Sequence, residues 1–271
     1  MNASFRQLHD ELEDSDKICQ CIGLKKIPHF TTPQKFLSRI PPGWLALVIS
    51  KMVQLLLSSV HACVDALCLR EFNASYSYIK RIGRTIRKRD FLKGIFAADK
   101  RTGIVVSCMV IKGNRHEAPH FRSLLQKVPM EILSVGADKG FDSEKNQAYL
   151  NEHGIISYLD VRESPKRGRF RKRVYRRKNK FPKRWMKAYK NRRNRSESVN
   201  ASFKRDFGDY ISGKTHWMRK KILFCRVLIY NIKMALKSGI LIVQDETHVF
   251  IIGFLHPPTL PSPVLNEFIP G

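Results

Sequence analysis

Acidic residues are scarce in this sequence. It has 23 Asp and Glu against 50 Lys and Arg among 271 residues, which gives a formal net charge of +27 and a pI near 10.2. A charge this far from zero exceeds what solubility requires, and it indicates a polyanionic partner, either nucleic acid or an anionic membrane. The length allows one large domain or two modest ones, so size does not restrict the fold class.

The sequence also lacks a long uninterrupted apolar run. Its most apolar early stretch, residues 44–60, is broken by Lys51 and several serines, and it predicts a buried helix rather than a membrane span. No charged start followed by an apolar run and a small-residue cleavage site opens the chain. We therefore expect no membrane association, nucleic acid as the partner and a cytoplasmic protein.

Cysteine pairs with the C-x2-C spacing of a zinc site are missing as well. Most of the six cysteines lie in apolar runs, so we expect them to be reduced core residues. A metal site built from Cys19, Cys21 and a nearby His is a weak alternative.

Gly and Pro are absent from residues 185–204, so this stretch can form a single helix. At 100° per residue, Tyr189, Arg193, Glu197 and Lys204 fall within roughly 80° of one another on one face. An apolar stripe along one edge of that face would seat the helix on a core. The stripe consists of Trp185, Val199, Phe203 and Phe207.

Glu197 lies among cations, and two roles are open for it. It can simply pair with a neighbouring cation, or it can be a metal ligand at a nucleic-acid site where Arg193 and Lys204 hold phosphates. The second role needs further carboxylates and a basic surface.

Two such carboxylates accompany apolar runs. Asp65 interrupts the run at residues 62–69; burying an unpaired carboxylate is costly, so either a bound cation or a solvent-facing edge strand would explain it. Asp138 directly follows the short strand predicted at 132–137 and stands beside Gly140. Open α/β sheets place ligands at this end of a strand.

The remaining pattern alternates strands and helices. It predicts strands at residues 76–80, 91–98, 104–111 and 155–158, and helices at 118–128, 144–152 and 215–237. Asp99 is predicted in a hairpin turn, and Asp142 is predicted to be the N-cap of the helix at 144–152.

Positive charge is concentrated between residues 166 and 195, where 17 of 30 positions are Lys or Arg. Such a run repels itself unless it is neutralised, and phosphates are the natural neutraliser. Aromatic residues within it could stack on unpaired bases or anchor a helix to the core. A merely solvated basic face is the alternative.

The motif from Asp138 to Ser143, followed by Tyr189, Arg193, Glu197 and Lys204, resembles the catalytic core of DDE transposases of bacterial and archaeal insertion sequences. The segment 65–78 looks like the region that holds the first aspartate of that family. The resemblance implies a ribonuclease-H-like α/β fold with a mixed five-stranded sheet flanked by helices. It also implies a site of two Mg²⁺ or Mn²⁺ ions bound by two Asp and one Glu, and DNA cleavage and strand transfer at transposon ends.

By this resemblance, Asp65, Asp138 and Glu197 are the catalytic metal ligands. The expected DNA contacts are Tyr189, Lys190, Arg192, Arg193 and Lys204. Double-stranded DNA is the expected partner, homo-oligomerisation is expected during transposition, and the location is the nucleoid of a prokaryotic cell. Ala66, Leu67 and Cys68 stand where the family has small hydroxyl or glycine residues. An inactive DNA-binding remnant and a ribonuclease-H-like nuclease therefore remain as alternatives.

The expected organisation has three parts. Residues 1–60 form a small helical region, residues 61–239 form the catalytic domain with a basic segment at 160–195, and residues 240–271 form a Pro-rich tail expected to be poorly ordered.

Overall fold

The structure, a computed structural model, describes residues 5–71, 80–83, 85, 91–161 and 167–240. Four helices come first in this described part: α1 (Phe5–Glu13), α2 (Asp16–Cys21), α3 (Thr31–Arg39) and α4 (Pro42–Leu56). Pro42 occupies the first turn of α4, where its missing N–H is not needed. The expectation that residues 44–60 form a buried helix is only partly correct. Within α4 only Ile49 and Val53 are buried, Trp44 and Leu55 are exposed, and a strand begins at Ser59.

A mixed five-stranded sheet follows, in the order β3-β2-β1-β4-β5. Its strands are β1 (Ser59–Arg70), β2 (Phe91–Asp99), β3 (Val105–Lys112), β4 (Glu131–Ala137) and β5 (Ile156–Leu159). β1, β2 and β3 pair antiparallel, whereas β4 pairs parallel with both β1 and β5. This confirms the ribonuclease-H-like α/β fold that the family resemblance implied.

The hairpin turn between β2 and β3 forms as predicted. Asp99 accepts hydrogen bonds at Oδ2 from the backbone N–H groups of Arg101 and Thr102, at 3.0 and 2.8 Å, and from the Thr102 hydroxyl at 2.9 Å. Gly103 completes the turn with a φ of +77°, a left-handed conformation that favours glycine.

Five further helices lie in the described residues after β3: α5 (Phe121–Leu125), α6 (Glu144–Glu152), α7 (Arg169–Lys180), α8 (Pro182–Phe207) and α9 (His216–Lys237). The prediction of Asp142 as the N-cap of α6 is wrong. Ser143 is the N-cap, since its side chain accepts from the N–H of Asn146, while Asp142 pairs with Arg171 at 2.7 Å.

Helices α8 and α9 contribute buried side chains to the core that they share with the sheet. Phe203 of α8 is fully buried, with its ring centroid 5.1 Å from that of Phe96 and 5.6 Å from that of Tyr230 of α9. The buried Asn231 amide exchanges two 2.8 Å hydrogen bonds with the backbone N–H and carbonyl of Val105, which fixes α9 to the start of β3. The long helix predicted around residues 185–204 is thus a sheet-packed element, as its apolar stripe indicated.

Some expectations fall outside the described residues. They include most of the strand at 76–80, much of the segment 65–78 that resembles the family's first-aspartate region, and nearly all of the tail. All six cysteines are free, as expected, but Cys21 and Cys68 are exposed rather than in the core. Among the described helices none combines the length and the apolar character that a membrane crossing requires.

Candidate active site and its basic helices

Strand pairing brings Asp65 and Asp138 together. In the parallel ladder between β1 and β4, Val64 is the partner of Ala137, and these residues immediately precede Asp65 and Asp138. Neighbouring strands lie about 4.8 Å apart, so Asp65 within β1 lies beside Asp138, which directly follows the end of β4. They are separated by more than seventy positions in the chain, and only the fold makes them neighbours.

The Asp65 carboxylate is partly buried and fixed by two donors. Its Oδ1 accepts from the N–H of Ala66 at 2.8 Å, and its Oδ2 accepts from the side-chain amide of Asn200 at 2.9 Å. Burial raises its pKa, and the negative charges of Asp138 and Glu197 raise it further. The charges of Asp138 after β4 and of Glu197 on α8 therefore both reach Asp65 on β1.

Glu197 is engaged by a cation on its own helix. Its Oε1 lies 2.9 Å from Nε of Arg193 one turn earlier, and the two side chains are 55% and 53% exposed. The hydrogen bond to Glu197 raises the pKa of Arg193. Of the two roles left open by the sequence, the structure shows the ion pair, and the role of Glu197 as a metal ligand stays a prediction.

Tyr189 lies against the second aspartate. Its hydroxyl donates to Oδ1 of Asp138 over 3.4 Å, and its buried ring stacks on Trp185 with centroids 5.3 Å apart. Burial raises the pKa of Tyr189, and the charges of Asp160 and Asp138 add to the effect. The phenol therefore stays protonated and able to donate to Asp138.

Arg192 does not lie where a DNA contact requires it. It is 6% exposed, its Nη2 donates to Ser134 Oγ at 2.6 Å, and its guanidinium lies 4.1 Å from the centroid of the Tyr158 ring. Burial lowers its pKa. The expectation of a phosphate contact is corrected on this ground, because the side chain is occupied by β4 and β5 and is withdrawn from solvent.

Close packing makes this burial possible. Gly136 faces Arg192, and a Cβ at Gly136 would lie 2.5 Å from Cδ and 2.7 Å from Cβ of that arginine. Only a residue without a side chain lets α8 approach β4 so closely.

The other predicted DNA contacts are on the solvent side. Lys190 and Lys204 are exposed, as is Arg193 with its charge shared with Glu197. The structure therefore separates the predicted set into a solvent-facing group, a buried Arg192 and a Tyr189 directed at Asp138.

Three acidic residues hold the basic helix α7 in place, and these contacts were not predicted from the sequence. Glu144 accepts from the N–H groups of Phe170 and Arg171 at 2.9 and 3.1 Å, which caps the start of α7. Asp142 pairs with Arg171, and Asp160 with Lys178 at 2.7 Å. The basic helix is held to α6 and β5, whereas Asp65 and Asp138 form no ion pair within the part of the chain that the structure describes.

Asn200, which donates to Asp65, was also not predicted from the sequence, although its spacing from Glu197 could have identified it. It lies three residues after Glu197, which places both on one side of α8.

The carboxylates suit a divalent cation in type and partly in arrangement. Asp65 and Asp138 supply hard oxygen ligands, and a bound cation would offset both the burial and the repulsion that raise the pKa of Asp65. Across the described residues, however, no three His, Cys, Asp or Glu side chains are grouped closely enough to hold a metal ion. The assignment of Asp65, Asp138 and Glu197 as a set of metal ligands therefore stays a prediction.

Comparison with known proteins agrees with this geometry. A search of curated proteins finds no match to the chain. The family model described as "Transposase DDE domain" matches residues 59–232, from the first residue of β1 into α9, and includes all three carboxylates. With that match covering well over half of its length, the chain belongs to the transposase DDE domain family.

Proposed function

We propose that this protein cuts DNA at the ends of an insertion sequence and joins those ends to target DNA, with Asp65, Asp138 and Glu197 as ligands of two Mg²⁺ or Mn²⁺ ions. The observation that carries the proposal is the β1–β4 register, which puts Asp65 beside Asp138 within electrostatic reach of Glu197. Family membership supports the reaction class.

The surrounding residues position these carboxylates. Asn200 holds Oδ2 of Asp65, and the Tyr189 hydroxyl donates to Asp138, so each aspartate has one oxygen engaged by a neutral group on α8. Neutral donors fix a carboxylate without cancelling its charge. Divalent ions bound there would supply Lewis-acid stabilisation of charge on the phosphate and activation of the attacking hydroxyl.

Arg193 has two negative partners in this proposal. In the free protein it holds Glu197 at 2.9 Å in an exposed pair, and exposed pairs of this kind are worth only about 0.2–1 kcal/mol. A DNA phosphate can therefore replace Glu197 on the guanidinium at little energetic expense. Glu197 is then released toward the aspartates, so DNA binding and completion of the carboxylate set are coupled.

The DNA surface includes the exposed cations of α8 and α7. Arg193, Lys190 and Lys204 lie on the solvent side of α8, and α7 adds a basic helix anchored by Glu144 and Asp142. We assign them to contacts with the phosphates of double-stranded DNA. Joining two ends requires at least two copies of the site, so we propose a homo-oligomer on DNA, in a prokaryotic cytoplasm and at the nucleoid.

The test is Mg²⁺-dependent nicking of duplex DNA by the purified protein, with Asp138→Asn as the variant. The substitution should abolish nicking and leave salt-sensitive DNA binding nearly intact, because it removes one negative charge and keeps the size of the side chain. The control is Glu152→Gln, which changes an exposed acid at the far end of α6. Gln147→Glu on the same helix cannot serve, because Gln147 is buried. Equal loss of binding and nicking in Asp138→Asn would contradict the assigned role.

Binding without catalysis is the second candidate, favoured by the engagement of Glu197 and by the absence of an assembled three-residue metal group in the described chain. A wild-type protein that binds DNA but never nicks it with Mg²⁺ or Mn²⁺ supports that candidate. Nicking without joined products on a target plasmid identifies a nuclease instead.

A further inference from the structure

A shallow, open groove lined by polar residues lies on the other flank of α8, away from the carboxylates. It has a volume of about 350 Å³ and is formed between α8 and the β2–β3 turn. Its lining residues are Lys100, Asn191, Asn194, Arg195 and Ser198.

Helical geometry separates this groove from the candidate active site. At 100° per residue, the directions of Asn191, Asn194 and Ser198 centre roughly 110° around the axis from those of Arg193, Glu197 and Lys204. The exposed Lys190 points between the two flanks. The groove therefore extends the basic surface and is distinct from the Arg193 flank.

Within the described residues, Lys100 and Arg195 of the groove form no ion pair. Arg195 donates from Nε to the carbonyl of Lys100 at 2.7 Å and from Nη2 to the carbonyl of Arg101, and both acceptors are neutral. Asp99 is the acid of this turn, but it is 4% exposed and its Oδ2 accepts three hydrogen bonds within the turn. None of the described residues that line the groove is acidic.

The groove is also preformed. Arg195 ties α8 to the turn, and a Cβ at Gly103 would lie 3.2 Å from Met234 and 3.7 Å from Nη1 of Arg195, so the turn is pressed against the helices. An ammonium, two side-chain amides and a hydroxyl face a shared space. These groups suit a phosphate, whose oxygens accept hydrogen bonds and whose charge complements Lys100 and Arg195.

We propose that this groove binds the phosphate backbone of double-stranded DNA, as a second contact on the opposite flank of α8 from Arg193 and Lys204. The identification of the ligand as DNA rests on the proposed function. The preference for a phosphate group rests on the residues that line the groove. A helix is 10–12 Å wide with its side chains, about the width of the DNA major groove, so the two flanks of α8 can contact the two strands that border one groove.

The test measures affinity for a 40-base-pair duplex, a length of about four helical turns, over a series of salt concentrations with EDTA present. Lys100→Gln removes a groove cation, and Asn194→Asp places a carboxylate in the groove with almost no change in size. Matched controls are Lys112→Gln and Asn114→Asp, two exposed residues at the other end of β3. They lie roughly 25 Å away at about 3.3 Å per residue.

We expect Lys100→Gln to reduce the slope of log K against log salt by about 1, since each phosphate neutralised on B-DNA contributes about 0.9. Asn194→Asp should weaken binding about tenfold near 0.1 M salt, and neither control should change affinity by more than about twofold. Equal effects in the groove and control variants would mean that only the total charge of the protein affects binding. Unchanged binding in both groove variants would mean that the groove does not contact DNA. Each of these results overturns the proposal.

Two features keep this test separate from the proposed function. Binding is measured without metal, so a wild-type protein that fails to nick DNA leaves the groove result intact, whereas a groove failure leaves nicking by the wild type unaffected. Circular dichroism and thermal midpoints check folding. Because Lys100 and Asn194 are on different elements, unfolding of one variant leaves the other to decide the outcome.

Discussion

Arg192 and Arg193 are consecutive in the chain, yet the fold gives them opposite surroundings. Arg192 is buried against Ser134 and Tyr158, whereas Arg193 is 53% exposed and pairs with Glu197. A rotation of 100° separates the sheet-facing side of α8 from its solvent-facing side. Charge density along the sequence therefore does not locate a DNA surface. The inner side fixes where the helix lies, and the outer side carries the charges available to a ligand.

The largest effect on stability should come from Arg192→Ala. The substitution removes the buried guanidinium together with its hydrogen bonds and leaves a void beside Tyr158. These losses together should lower the free energy of unfolding by about 3 kcal/mol. Arg193→Ala, one residue later, should change it by less than about 0.5 kcal/mol. Urea denaturation followed by circular dichroism measures both. Equal destabilisation would remove the distinction between the two sides.

A smaller loss of stability is expected from Gly136→Ala. The added methyl group would overlap Arg192 and force α8 away from β4, at about 1–3 kcal/mol. Gly140→Ala is the matched control, since a Cβ there meets nothing within 4 Å. If α8 positions the site as proposed, Gly136→Ala also slows nicking of DNA at temperatures where the variant remains folded. Full activity in a measurably destabilised Gly136→Ala protein would argue against that positional role.

On the outer side, Arg193→Gln should leave thermal stability unchanged and weaken DNA binding. Because the variant no longer neutralises one phosphate, the salt slope should decrease by about 0.9. Lys237→Gln at the exposed end of α9 removes the same charge far along the chain and serves as the control. Identical slopes for the two variants would mean that the Arg193 flank has no special part in DNA binding.

Local patterns predicted most of the fold. The apolar run that contains Asp65, the Asp99 turn and the Gly-free stretch before Phe207 each determine structure through near neighbours, and each forms as expected. The N-cap of α6 was misassigned because Ser143 and Asp142 are adjacent and both are good caps. Arg171, 29 residues further on, occupies Asp142 and leaves the cap to Ser143.

The candidate site was less predictable because it depends on pairing between distant strands. Periodicity indicates that Asp65 and Asp138 accompany strands, but it does not specify that β1 pairs with β4 in the register Val64 to Ala137. The burial of Arg192 depends on Gly136, 56 positions earlier, whose missing side chain admits the arginine. Within a run of basic residues, the sequence neighbours of Arg192 give no sign that its side chain is buried.

The smallest effect should be found at Arg70 and Asp209, an exposed pair that closes the loop after α8 onto the end of β1. Arg70 Nη2 lies 2.7 Å from Oδ1 of Asp209, and that hydrogen bond lowers the pKa of Asp209 below its ordinary value of 3.8. Because the folded-state pKa is depressed, the pair stabilises the protein above the unfolded-state pKa, and the stabilisation is lost as pH falls through the folded-state value. With side chains 34% and 53% exposed, solvent screening limits this to less than about 1 kcal/mol. Asp209→Asn should therefore differ slightly from the wild type in unfolding free energy at pH 7, and the difference should shrink between about pH 5 and pH 2. A difference that persists undiminished at low pH would assign the effect of the substitution to packing of the loop rather than to the charge of the pair.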